Sequence, residues 1–232
     1  MSLPHYVVAI KASSKWAARL TPRLNEPPQD HYFRGVGFPK SLLAAMEIGP
    51  APRAVFVVHW SERIPAEVYG RVPTVGFHAA PLPYGRGGSP VQNMMLADHD
   101  YTELCAYRMG AGLDDGPVLH RVPVRLYGRT AGQVFEDIAA KCAELIDLMA
   151  RQGIGEGTPQ QGEPVIFKRR RPAQSEVPPG LSPEALDLFI RANDAPGYPP
   201  AFVDADGYRV ELTGTRLFGD RISAHARIKG LP

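Results

Sequence analysis

Short apolar, β-branched runs alternate with amphipathic stretches along this chain, and their spacing predicts most of its elements. Tyr6-Val7-Val8-Ala9-Ile10 has no polar position, which predicts a strand buried on both faces. Ser13 and Ser14 supply caps for a helix carrying Trp16, Ala17 and Leu20, and the proline-rich stretch Thr21 to Gln29 predicts a loop. Leu42, Leu43 and Met46 sit at helical spacing after Pro39, a first-turn proline. Ala54 to Val58 is the clearest strand, Pro65 opens a short helix ending near Gly70, and Thr74 to Phe77 is another buried strand stopping at His78. Strand, helix, strand, helix at this spacing predicts βαβ crossovers and a parallel sheet covered on both faces.

Ser89-Pro90-Val91-Gln92 carries the letters of a capping box and predicts a helix through Met95. Thr130-Ala131-Gly132-Gln133 repeats them ahead of Val134, Ile138, Cys142, Leu145, Ile146 and Met149, all on one helical face. Beyond it, residues 152–164 are rich in Gly, Gln and Pro and read as a linker. Ser182-Pro183-Glu184 then caps a helix carrying Leu186, Phe189 and Ile190. Strands are expected around Ala201 to Val203, Tyr208 to Leu212 and Ile222 to Ile228, with Asp206-Gly207 as a hairpin turn. The predicted fold class is therefore α/β, with a parallel-sheet domain over 1–151 and a small α+β subdomain over 165–232.

Composition narrows the function classes. At 232 residues, 44% hydrophobic and 22% charged, the chain is an ordinary globular protein rather than a disordered one. A net charge of +2 is too small for a general nucleic-acid binder. No apolar run approaches the ~20 residues of a membrane helix, and Met1 to His5 lacks the basic and apolar regions of a signal peptide. Cys105 and Cys142 form no CxxC pair and read as reduced core cysteines, so a soluble cytoplasmic protein is expected. The seven histidines include no HExxH or paired spacing, so no metal site is expected. Neither a phosphate-binding GxxxxGK[ST] loop nor a GxGxxG after the first strand is present.

In open parallel sheets ligands sit outside the carboxyl ends of the strands, which is where His59-Trp60-Ser61 and His78-Ala79-Ala80-Pro81 fall. The run from His78 to Gln92, HAAPLPYGRGGSPVQ, resembles the HPSLLPxYRGxxPxQ signature of the folate-dependent formyltransferases. Downstream, GAGLDDGPVL resembles that family's GLDTGPIL segment, and VVHWSERIP stands where the family has VVAYGxILP. The likeness is firm from Ala54 to Leu126, looser from Phe167 to Leu212, and weak over the first fifty residues. HWSERIP together with FHAAPLPYGRGGSPVQN is most similar to sugar N-formyltransferases of the pseudaminic-acid type of pathway, which act on a nucleotide-linked 4-amino-4,6-dideoxy sugar.

The resemblance implies a Rossmann-like formyltransferase domain and a formyl group carried by 10-formyltetrahydrofolate. The amine of the acceptor attacks the formyl carbon, giving a tetrahedral intermediate with an oxyanion and a cationic nitrogen. One group must stabilise the oxyanion and another must manage the moving proton. On the family's pattern His78 donates to the oxyanion, while Asp114 holds that imidazole in its charged form and organises a proton-relay water. Trp60, Ser61, Ile64, Pro65, Arg86 and Asp114 are the expected folate contacts, Trp60 because a flat pterin suits a flat apolar wall. Pro81, Tyr84, Arg86, Gly87 and Asn93 are the expected substrate contacts.

The chain departs from the pattern at one place. The family has Asn two residues before the His, as a second oxyanion donor, and here that position is Gly76. Either His78 works alone, or Asn93 or a backbone N–H substitutes; a strand-interior Gly also predicts that a side chain or substrate approaches closely. Arg86-Gly87-Gly88-Ser89 reads either as an anion site at a helix N-terminus or as glycines permitting a close approach. The basic run Lys168 to Arg171 is either a solvated face or a contact for a substrate phosphate.

A nucleotide-linked amino sugar is the expected small-molecule partner, with neither nucleic acid nor membrane. The apolar C-terminal strands offer a homodimer surface. Other readings of the same residues are formylation of methionyl-tRNA, formylation of an amino acid or carrier-bound peptide, and a degenerate protein that only binds folate.

Overall fold

The computed structural model describes residues 3–26 and 30–231. Met1 and Ser2, from the reading of the N-terminus, and Pro27 to Gln29, from the expected loop, lie outside the described residues. In chain order the elements are β1 (His5–Ile10), α1 (Leu20–Leu24), β2 (Tyr32–Val36), α2 (Pro39–Glu47), β3 (Val55–Val58) and α3 (Ala66–Tyr69). Then come β4 (Thr74–His78), β5 (Tyr84–Gly87), α4 (Pro90–Leu96), β6 (Tyr101–Arg108), β7 (Val118–Arg125) and α5 (Ala131–Gln152). The chain continues through β8 (Val165–Phe167), α6 (Pro183–Asn193), β9 (Ala201–Ala205), β10 (Tyr208–Phe218) and β11 (Arg221–Gly230).

Six strands form the central sheet in the order β2-β1-β3-β4-β6-β7. β2, β1, β3 and β4 are parallel, as the crossovers required. β6 and β7 extend the sheet antiparallel, an addition that the expected all-parallel arrangement did not contain. The two-residue alternation of a strand divides its side chains between two cores. Val8, Ile10, Phe56 and Val58 face the core that includes the buried stripe of α5, whereas Val7, Ala9, Val55 and Val57 pack with Leu42, Ala45 and Met46 of α2 and Val68 of α3. Both faces are therefore covered. Each large aliphatic residue buried this way contributes about 1.5–3 kcal/mol.

α5 begins as its letters predict. Thr130 Oγ1 accepts from the Gln133 N–H and the Gln133 side chain accepts from the Thr130 N–H, a complete capping box. Its six expected core residues are all buried. Two local expectations fail. Thr21 to Leu24 belong to α1 rather than a loop, because Pro22 falls in the first turn, where a missing N–H costs little, and Leu20 and Leu24 are buried. Ser89 makes no capping bond; its backbone is left-handed (φ 53°) and its hydroxyl accepts from the Arg170 N–H instead. The C-terminal strands form a separate antiparallel sheet, β11-β10-β9, packed on α6. Among the described residues no helix is long and apolar enough to cross a membrane.

Candidate functional site at the strand ends

β4 ends in His78, whose side chain is turned into the protein and only 7% exposed. Its Nε2 lies 2.7 Å from the Gly85 carbonyl oxygen. A carbonyl only accepts, so Nε2 carries a proton, and Nδ1 is the ring nitrogen left for chemistry. Nδ1 stands 3.5 Å from Asp114 Oδ2, close enough for an ion pair and too long for a strong direct hydrogen bond.

Asp114 lies in the loop between β6 and β7 with a left-handed backbone, φ 48°. That conformation is uncommon outside glycine, although Asp tolerates it better than most. Three contacts hold it there. The Tyr107 hydroxyl donates to Oδ1 at 2.6 Å, the Gly87 N–H donates to Oδ2 at 2.8 Å, and the Gln160 amide donates to the Asp114 carbonyl at 2.8 Å. A strained backbone over-determined by its surroundings is a mark of functional sites. The two residues on which the motifs converge are thus brought together.

Glycines close this corner. Gly87 has φ 98°, and a Cβ there would lie 2.6 Å from the Phe167 carbonyl oxygen; one at Gly88 would lie 2.5 Å from Arg169 Cα. The Arg86-Gly87-Gly88 run therefore permits close approach, but to β8 and the residues after it. β8 pairs with β5, and Tyr84 packs edge-on against Phe167. Pro81 accepts the Tyr84 N–H through its carbonyl.

Arg86 donates from Nε and Nη2 to Gln160 Oε1 at 3.1 and 2.7 Å, while Gln160 Nε2 also donates to the Gly116 carbonyl at 2.9 Å. Asn93 Nδ2 donates to the Gly88 and Lys168 carbonyls. Both of its N–H groups are engaged there, so it is not the substitute donor considered for the missing Asn. The space beside Gly76 is occupied by another residue: a Cβ at Gly76 would lie 2.7 Å from the Tyr107 ring.

A second group of residues gathers where the strand order turns from β2-β1 to β3, the topological switch point. Ser61 Oγ lies 3.1 Å from Lys11 Nζ and 3.2 Å from Arg169 Nη1, and among the described residues no carboxylate pairs with either cation. His59, with φ 49°, contacts Ser14 Oγ at 2.7 Å through Nδ1 and the Tyr198 hydroxyl at 2.8 Å through Nε2. Burial above all, then the Lys11 and Arg169 charges, push its imidazole down to about 4. Half-buried Trp60 packs with Ile64 against the α2–α3 core, and its indole N–H is buried without a hydrogen-bond partner among the described residues. Pro65 is the cap residue of α3.

Sequence reasoning missed Tyr107, Gln160 and the roles of His59 and Ser14. Only the strand-interior Gly76 gave a signal, by demanding a close neighbour.

The geometry defines a doubly wound α/β protein with a His–Asp pair beyond the carboxyl end of a parallel strand. Residues 172–229 match the family model described as methionyl-tRNA formyltransferase, C-terminal domain. The methionyl-tRNA formyltransferase of Novosphingobium aromaticivorans is 29% identical over 154 residues, covering 64% of this chain and 50% of that protein. The chain spans about half the length of the curated relatives it matches. Among solved structures, a methionyl-tRNA formyltransferase from Clostridium thermocellum superposes with a TM-score of 0.89 at 27% identity, over 98% of this chain and 100% of that one. A 4-N formyltransferase from Francisella tularensis shares the fold, with a TM-score of 0.70 at 14% identity over 91% of this chain and 97% of its own. The chain is thus similar to formyltransferases, in sequence over about two thirds of its length and in fold over nearly all of it.

Proposed function

We propose that this protein transfers a formyl group from 10-formyltetrahydrofolate to the amine of a nucleotide-linked amino sugar. The observation that carries formyl transfer is the His78–Asp114 pair at the end of β4, inside the motifs that resemble the family's own. The unpartnered Trp60 indole N–H, on an apolar wall with Ile64 and Pro65 after it, suits a flat ring bearing polar edges. Bound there, the folate supplies an activated formyl carbon. Nε2 of His78 is anchored on Gly85, so Nδ1 is the ring nitrogen left to face the oxygen on which negative charge develops, and it donates to that oxygen when it carries a proton. Asp114 Oδ2, 3.5 Å away, can take a proton from the attacking amine and pass it to N10 of the folate, whose bond to the formyl carbon breaks to release tetrahydrofolate. Trp60, Ser61, Arg86 and Asp114 are the proposed folate contacts, and Pro81, Tyr84, Gly87 and Asn93 line the acceptor side.

Lys11 and Arg169 both donate to the Ser61 hydroxyl at the switch point, which sets positive charge beside the proposed folate contact and suits ligands that carry anionic groups such as phosphate. Methionyl-tRNA also carries phosphate, and the match of residues 172–229 favours it as the second reading. The experiment incubates the protein with 10-formyltetrahydrofolate and follows release of tetrahydrofolate with each acceptor. Turnover with a nucleotide-linked 4-amino-4,6-dideoxy sugar and none with methionyl-tRNA is the expected result. The reverse would establish the second reading, and folate binding without turnover on any amine would leave a binding protein.

A further inference from the structure

β4 and β6 run antiparallel in a register that sets Gly76 directly opposite Tyr107. The tyrosine ring lies across the glycine: a Cβ at position 76 would come within 2.7 Å of ring carbons Cε1 and Cζ and 2.8 Å of the hydroxyl oxygen. Any side chain at 76 would force the ring aside. Tyr107 is 4% exposed, among Leu82, Cys105 and Val118, so the ring has little room elsewhere.

Its hydroxyl points at the site. A carboxylate can only accept, so the 2.6 Å contact with Asp114 Oδ1 uses the one proton Tyr107 has. Burial first, then the Asp114 charge, raise the phenol well above its usual range, and it stays a neutral donor at any working pH. With its proton committed, Tyr107 does not donate to a substrate oxygen. What it does is fix one carboxylate oxygen, while the Gly87 N–H fixes the other on the side of His78 Nδ1.

We propose that Gly76 and Tyr107 form a positioning pair, in which the missing side chain admits the ring and the ring's hydroxyl holds Asp114 aimed at His78. The proposal rests on the formyl-transfer reading and makes Tyr107 a positioning residue for it. Packing alone would be served equally by phenylalanine, so the hydroxyl is the group at issue.

The test is steady-state kinetics of tetrahydrofolate release by the full chain, with the acceptor that the wild type uses. Tyr107→Phe keeps the ring over Gly76 and is expected to lower kcat about 10- to 100-fold, the scale of a displaced reacting group. KM for folate and amine should stay within about twofold, because only the aim of Asp114 changes. Gly76→Ala, which displaces the ring, should lower kcat as well. The double variant should be no slower than Gly76→Ala alone, since both act through one bond. An unchanged kcat in folded Tyr107→Phe, or a loss confined to KM, overturns the positioning role and leaves the formyl-transfer reading standing. A wild type that transfers to no amine overturns that reading and this role with it.

Discussion

The His78–Asp114 site at the end of β4 and the β10–β11 ribbon are both built on antiparallel strand pairs, yet they use the pairing in opposite ways. At β4–β6, Val75, His78, Cys105 and Tyr107 are all buried, and each polar atom near the site has a small choice of partners. Along β10–β11 most positions face solvent; Phe218 is 61% and Ile228 65% exposed. The ribbon even breaks register between Thr213 and Arg216. Covering a strand pair on both faces turns backbone register into side-chain position. A strand pair left bare specifies its own hydrogen bonds and little else.

His78→Ala puts that contrast at its sharpest. On the proposed mechanism it should lower kcat by at least about 10³-fold while folate binding persists, because the proposed donor acts only on developing charge. Steady-state kinetics beside a folate titration checks both halves. Asp114→Asn keeps the shape and removes the charge, and a loss of about 10²- to 10³-fold in kcat is expected. Acid should act through stability. His59 is held neutral down to about 4, so its folded state binds fewer protons than the unfolded chain between there and its ordinary value near 6.5. The stability it supports is complete above pH ~6.5 and is lost as pH falls toward 4, on the order of 3 kcal/mol. Urea unfolding at both pH values measures it, and His59→Asn, which tolerates the left-handed backbone, should flatten the difference.

Gly76→Asn should lower kcat about tenfold or more by pushing the Tyr107 ring off its place. An increased kcat would show that an asparagine can share the space. Phe218→Ser, at the other pole, should leave kcat alone and alter the unfolding free energy by less than about 0.5 kcal/mol. A larger loss would mean that the ribbon is covered in the working protein.

Much of the fold was legible because it is written locally. β-branched runs marked β1, β3 and β4, paired capping letters marked α5, and Asp206-Gly207 marked the turn between β9 and β10. β6 escaped because Tyr101 to Arg108 mixes charged and apolar residues, and its antiparallel pairing with β4 joins positions some thirty residues apart. Ser89 had the letters of a cap, but Gly87 and Gly88 bring it against Arg169 and Arg170, and tertiary contact decided its backbone. Of the site, the motifs exposed the His78–Asp114 pair. Gly76 announced a close neighbour without naming Tyr107, and Gln160 was invisible, because a glutamine inside a Gly/Pro-rich stretch has no local pattern. Only register and chain crossing give them partners.

Gln160 carries a practical lesson about exchanging parts. It sits between α5 and β8, in a stretch whose composition reads as disposable, yet it clamps Arg86 and the carbonyls of Asp114 and Gly116. The strand that follows it is the one laid beside the glycines of β5. A chimera joined just after α5 would import a foreign clamp into the site. One joined after Arg171 would carry the native clamp with it and exchange α6, the sheet packed on it and Tyr198, the partner of His59.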